Sequence, residues 1–133
     1  MSSLAALPGF LSHFIAGLVL LALSVFAYVR FTPHNELALI RQGNACAAVA
    51  LGGAIIGFAL PIGSAVSHSA NLLDAVVWSV VALLAQAIAF TLVERVLLPG
   101  WREAMLRSEM SYAVMGAAVA IAVGILNAAC LTP

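Results

Sequence analysis

Charge is what this sequence has least of. Only 8% of its 133 residues are charged, five Arg stand against five Asp or Glu, and there is no Lys. With no basic face to follow a phosphate backbone, nucleic acid is excluded as a partner. No carboxylate or Arg lies in the central part of any long apolar run. Ion-coupled carriers keep an ionisable group at mid-membrane, so an ion-driven pump is disfavoured. Two Cys and three His carry no metal-ligand spacing, so no metal or cofactor is expected. His13 and His68 could meet near one membrane surface, but ordinary interfacial histidines are the simpler reading. No nucleophile, base and orienting group converge, and enzymatic activity is not expected. The N-terminus also lacks the basic region and small-residue cleavage site of a secretory leader, so its first apolar run is read as a retained helix.

Apolar residues are what the sequence has in excess. At 65% hydrophobic it falls outside the range of soluble domains. Four segments have bilayer-spanning length: Phe10 to Arg30, Asn44 to Val66, Asp74 to Val96 and Ser111 to Leu131. Backbone groups cannot stay unpaired in hydrocarbon, which predicts an all-α membrane protein, one transmembrane domain over residues 1–133. Asn71, three residues before Asp74, and Ser108 before Glu109 signal helix starts. Pro61 predicts a kink toward the outer end of the second span. Arg30, Arg41, Arg95, Arg102 and Arg107 all lie in or beside the first and third connections. Those connections are therefore expected in the cytoplasm, and the N- and C-termini in the periplasm.

Sliding the chain along itself until Arg41 meets Arg107 also aligns Pro33 with Pro99, Ala38 with Ala104 and Leu60 with Leu126. Two helix hairpins, about residues 10–66 and 74–131, are predicted as parallel repeats. Shared membrane composition is the alternative.

Small residues mark the packing faces. Gly53 and Gly57 precede Pro61 by two turns and one, and Gly116, Ala120, Gly124 and Ala128 recur at steps of four. The third span aligns Ser79, Ala82, Gln86, Ala89 and Val93 on one stripe, and the first aligns His13, Gly17, Leu20, Ser24 and Ala27. A buried amide such as Gln86 needs partners, so it is expected to fasten helices together, with a permeation or ligand role as the alternative. Glu94 and Arg95, with Trp101 and Arg102, read as a snorkelling cytoplasmic rim; a ring of Glu94 in an oligomer would instead form a cation-selective mouth. Cys46 and Cys130 end up at opposite faces, too far apart to pair with each other; Cys130 is read as a small buried packing residue, with a bridge between two subunits as the alternative.

The stretch ELALIRQGNACAA gathers polar groups against an apolar run. It is expected to be a helix-to-helix corner. Leu37, Leu39 and Ile40 enter the interface, Arg41 meets anionic lipid, Gly43 breaks the segment and Asn44 caps the next span.

Residues 36–78 and the terminal AVGILNAACLTP resemble the YjfL-like family of small four-span bacterial inner-membrane proteins, a domain of unknown function. The family pattern runs IRQGN-A-AA, LGG, G-ALP and SA, and closes on GLLNAAC-T where this chain has GILNAACLT. It gives weight to Arg41, Gly43, Asn44, Ala47, Gly52, Gly53, Gly57, Pro61, Ser64, Asn127, Ala128 and Cys130. The resemblance implies a multi-pass protein of the bacterial inner membrane, with no assigned catalytic residue. Its members resemble partners of phage-shock-type stress proteins, and some occur beside aminopropyltransferase-like polyamine enzymes.

The expected function is a homo-oligomeric scaffold or component of an envelope-stress system, in contact with the lipid bilayer and with a cytoplasmic or membrane protein partner. The alternative is an oligomeric channel or small-solute and cation transporter lined by Ser24, Ser79 and Gln86. Association is expected to supply partners for Gln86 and Asn127.

Overall fold

The computed structural model describes residues 3–31, 36–69, 71–97 and 99–131. These residues are helical apart from short turns: α1 (Ser3–Phe31), α2 (Glu36–Arg41), α3 (Ala45–His68), α4 (Leu72–Leu97), α5 (Trp101–Leu106) and α6 (Met110–Cys130). Among them α1, α3, α4 and α6 are long and apolar enough to cross a membrane. The short α2 and α5 occupy the corners that lead into α3 and α6.

Helix α1 starts at Ser3, ahead of the expected Phe10, and carries Pro8 inside it. A proline this close to a helix start forfeits one bond, to the carbonyl of Leu4, in a turn where unpaired groups still reach solvent. Pro61 likewise does not end α3, which continues to His68. Its missing N–H instead releases the carbonyl of Gly57 from the helical ladder.

Both short helices close in the same way. Gly43 takes φ +89°, and the Asn44 N–H donates to the Leu39 carbonyl at 2.9 Å. In the second corner Ser108 takes φ +57°, and the Glu109 N–H donates to the Ala104 carbonyl at 2.9 Å. This six-to-one closure needs a left-handed residue, which Gly43 supplies without the Cβ penalty that Ser108 bears. Asn44 then caps α3, accepting from the Ala47 N–H at 3.1 Å, as its sequence position predicts, for about 1 kcal/mol. Asn71 caps α4 through the Asp74 N–H at 2.8 Å. Ser108 does not play that part for α6. Glu109 is the capping residue and makes no side-chain cap bond, its carboxylate lying 3.1 Å from Arg107. The corners thus match Gly43 and Asn44 with Ser108 and Glu109, one residue out of step with the alignment of Arg41 on Arg107.

Helix α3 is the hub. It packs most extensively on α6 and next on α4, while α1 lies outside against α3 and α4 and leaves most of its surface uncovered. Helices α3 and α6 run side by side in the same direction: Gly53 faces Ala117, Gly57 faces Ala120 and Gly124, and Ser64 bonds to Ala128. A Cβ added to Gly53 would overlap Ala117, and one added to Gly57 would stand 2.6 Å from the Ala120 oxygen. A Cβ on Gly124 would lie 2.6 Å from the Gly57 oxygen, the carbonyl freed by Pro61. Gly57 and Gly124 therefore each aim a Cα–H at a facing carbonyl, a weak hydrogen bond that only the absence of a side chain permits, while Gly53 lets the backbone of Ala117 approach. The two small-residue faces read from the sequence pack on each other inside one chain, with Gly116 buried on the same side of α6.

Candidate functional site

Among the described residues, polar side chains within the long helices carry the chemistry available inside the bundle. Gln86, on α4, is 2% exposed, and its Nε2 donates to the Ala120 carbonyl of α6 at 2.9 Å. Asn127 answers from α6, its Nδ2 donating to the Ala82 carbonyl of α4 at 2.8 Å. Two amides are thus exchanged between antiparallel helices, one in each direction. Ser64 adds a third tie, its hydroxyl donating to the Ala128 carbonyl at 2.8 Å. Interhelical bonds of this kind contribute about 0.6 kcal/mol each, up to about 1.7. Both amide nitrogens thus find within the chain the partners expected from association.

Two further groups are less fully used. The Gln86 Oε1 is buried without a hydrogen-bond partner, and so is the hydroxyl of Ser79, a residue with no exposed surface. Ser24 turns back on its own helix and donates to the Leu20 carbonyl at 2.7 Å. The buried line of α4 runs through Ala75, Ser79, Ala82 and Gln86 and then reaches Phe90, where the sequence stripe placed Ala89.

A cleft of about 680 Å³ separates α1 from α3 and α4, with Ala120 of α6 at its floor. It brings Ser24 and Gln86 onto one surface, whereas Ser79 is not part of its lining. Its walls are apolar and aromatic, notably Tyr28, Phe58 and Phe90, the first two meeting edge to face at 6.3 Å between ring centres. Thr91 and Arg95 carry the lining toward the α5 end of the bundle. Sequence reasoning missed the aromatic wall. Tyr28 lies one helical turn beyond Ser24, so extending the first-span stripe by a turn finds it. Phe58 and Phe90 sit in uniformly apolar runs that carry no signal. The side chains of Glu94, Trp101 and Arg102, proposed for the rim, lie outside the described residues.

A smaller hollow of about 350 Å³ at the other end is lined by His68, Asp74, Trp78 and Cys130. The His68 Nδ1 lies 2.9 Å from the Ser64 carbonyl, and that of His13 lies 2.9 Å from the Gly9 carbonyl. Each ring is therefore fastened one turn back on its own helix. Among the described residues no three His, Cys, Asp or Glu side chains gather. Cys46 is buried at the start of α3, whereas Cys130, expected as a buried packing residue, is exposed because it lies in the last turn of α6. At the corners Arg41 stays exposed, Leu39 and Ile40 are half-buried while Leu37 is exposed, and the Tyr112 hydroxyl pins the turn before α5 by donating to the Pro99 carbonyl at 3.0 Å. His34 falls outside the described residues.

Residues 1–131 match the family described as Domain of Unknown Function (DUF350). The chain is also 32% identical over 132 residues to the UPF0719 inner membrane protein YjfL of Escherichia coli strain K12, and equally to that of Escherichia coli O157:H7, with 99% of both chains covered. No solved structure matches. A match over nearly the whole length, joined to four helices able to span a bilayer, shows that the chain belongs to the DUF350 family and is a multi-pass protein of the inner membrane.

Proposed function

We propose that the chain is a non-enzymatic membrane scaffold that associates with its own copies and serves an envelope-stress system. In this reading two parallel helix hairpins form the unit, with both termini in the periplasm and the α2 and α5 corners in the cytoplasm as the recruiting surface. The recurrence of the corner closure at Gly43–Asn44 and Ser108–Glu109, and the same-direction packing of α3 on α6, support the repeat. Exposed Arg41 and Arg107 at these corners support the orientation and suit a negatively charged partner or leaflet.

The observation that carries the proposal is the use made of the polar groups within the spanning helices. Gln86, Asn127 and Ser64 all donate to carbonyls of neighbouring helices. Groups spent in this way hold a shape and do not line a water file. Association of copies would use α1, most of whose apolar surface is uncovered by the rest of the chain.

The alternative, an oligomeric channel or transporter for small solutes or cations, draws on the shared cleft of Ser24 and Gln86 but lacks Ser79 there. Proteoliposomes separate the two. The scaffold passes neither small ions nor polyamines, whereas flux that falls on Gln86→Leu would refute it. Single-particle photobleaching in nanodiscs should count more than one copy, and one bleaching step throughout would remove the self-association.

A further inference from the structure

We infer that the cleft between α1, α3 and α4 is a binding site for a neutral, bilayer-soluble molecule that carries a hydroxyl on an apolar body, and that Gln86 is the residue that reads the hydroxyl. The inference stands apart from the scaffold proposal. It begins with an imbalance of donors and acceptors. Gln86 spends its Nε2 on the Ala120 carbonyl, and its Oε1, in a side chain only 2% exposed, has no partner. Across the cleft Ser24 has already committed its O–H to the Leu20 carbonyl, so it too has only lone pairs to offer. A buried acceptor left unmatched in hydrocarbon costs free energy, and Gln86 is part of the lining of a cleft of about 680 Å³. That volume falls within the roughly 300–1,000 Å³ of small-molecule sites, which are likewise mostly apolar with a few polar groups fixing orientation.

The lining selects the chemistry of the occupant. Among the described lining residues none is acidic and Arg95 is the one charged side chain, so an ammonium group would leave water to meet neutral oxygens and a like charge. An unsubstituted acyl chain would fill the volume but carries no donor for Oε1. An anionic head group would be drawn to Arg95, which follows Gln86 by about 14 Å of helix at 1.5 Å per residue, too far to serve the amide. A neutral hydroxyl meets Oε1 without a charge penalty, while an apolar or aromatic body packs on Tyr28, Phe58 and Phe90. Leu23 of α1 and Leu84 of α4, both in the lining and both exposed, put the cleft within sideways reach of the bilayer.

The test uses para-octylphenol and its methyl ether, which share shape and differ in the donor, titrated against the whole protein in mild detergent and counted by native mass spectrometry. The expected result is one phenol bound per chain, at least tenfold tighter than the ether. Gln86→Leu should erase that preference. Because this change also removes a helix tie, Ala87→Phe is the companion: it fills the cleft, leaves the Gln86 bond to Ala120 in place, and should abolish binding of both compounds. Equal binding of phenol and ether to the unaltered protein, no binding of either, or binding untouched by Ala87→Phe would each overturn the assignment.

Discussion

The contact between α3 and α6 makes a quantitative prediction at Gly57. Replacing it by Ala places a Cβ 2.6 Å from the Ala120 oxygen, 3.0 Å from the Ala120 carbonyl carbon and 2.9 Å from the Gln86 Nε2. Two of these atoms are backbone, so relief requires α6 itself to move, while the third gives way only by loosening the amide bond to Ala120. Overpacking of this kind costs about 1–3 kcal/mol, and a lost interhelical bond adds about 0.6 kcal/mol. Against that, a helical Ala gains about 0.5–1 kcal/mol over Gly. The balance is a net loss of about 1–3 kcal/mol. Gly52, one residue ahead of Gly53, is the internal control, since a Cβ there meets nothing within 4 Å and Gly52→Ala should be neutral or mildly stabilising. Reversible unfolding by steric trapping in bicelles measures both. Gly57→Ala matching Gly52→Ala to within about 0.5 kcal/mol would refute the close approach and the Cα–H contacts argued from it.

Other perturbations give smaller effects with distinct readouts. Asn127→Leu should cost about 1 kcal/mol or less in the same assay, because the Ala82 carbonyl keeps its helical donor; a loss above about 2 kcal/mol would mean the amide does more than tie α6 to α4. Asn44→Ala should lose about 1 kcal/mol and speed hydrogen exchange at the Ala47 amide, and unchanged exchange would deny the cap. Gly43→Ala forces a side chain into φ +89° and should cost about 1–2 kcal/mol, whereas neutrality would show that the corner relaxes to another turn. Alkaline phosphatase fused to the C-terminus should be active in the periplasm, and an inactive fusion paired with a fluorescent cytoplasmic reporter would reverse the proposed orientation.

How far the sequence could be read depended on whether a feature was local. Span length and apolarity need no tertiary knowledge, and the helices at Ala45–His68, Leu72–Leu97 and Met110–Cys130 differ from expectation by only a few residues. The first helix starts at Ser3, seven residues ahead of the expected Phe10, because one N–H missing at Pro8 matters little so near a helix start. Caps were legible where the side chain does the capping, at Asn44 and Asn71, and misread at Ser108, where the backbone conformation does it.

The small-residue faces of α3 and α6 could be recognised from spacing, yet spacing does not say whether such faces meet each other or a second copy. That answer comes from Gly57, whose freed carbonyl, Cα and neighbouring amide contact all converge on one turn of α6. The cleft was least legible of all, since it depends on α1 standing off from α3 and α4, a property of no single segment. Gln86 connects the two readings. Its nitrogen fastens α4 to α6, while its oxygen has no partner and the residue lines the cleft, so in the proposed site one amide holds the bundle and offers an acceptor to what enters from the bilayer. Removing the side chain affects both roles at once, whereas filling the cleft at Ala87 touches only the second. Comparing the two changes therefore separates a structural amide from one that also recognises a ligand.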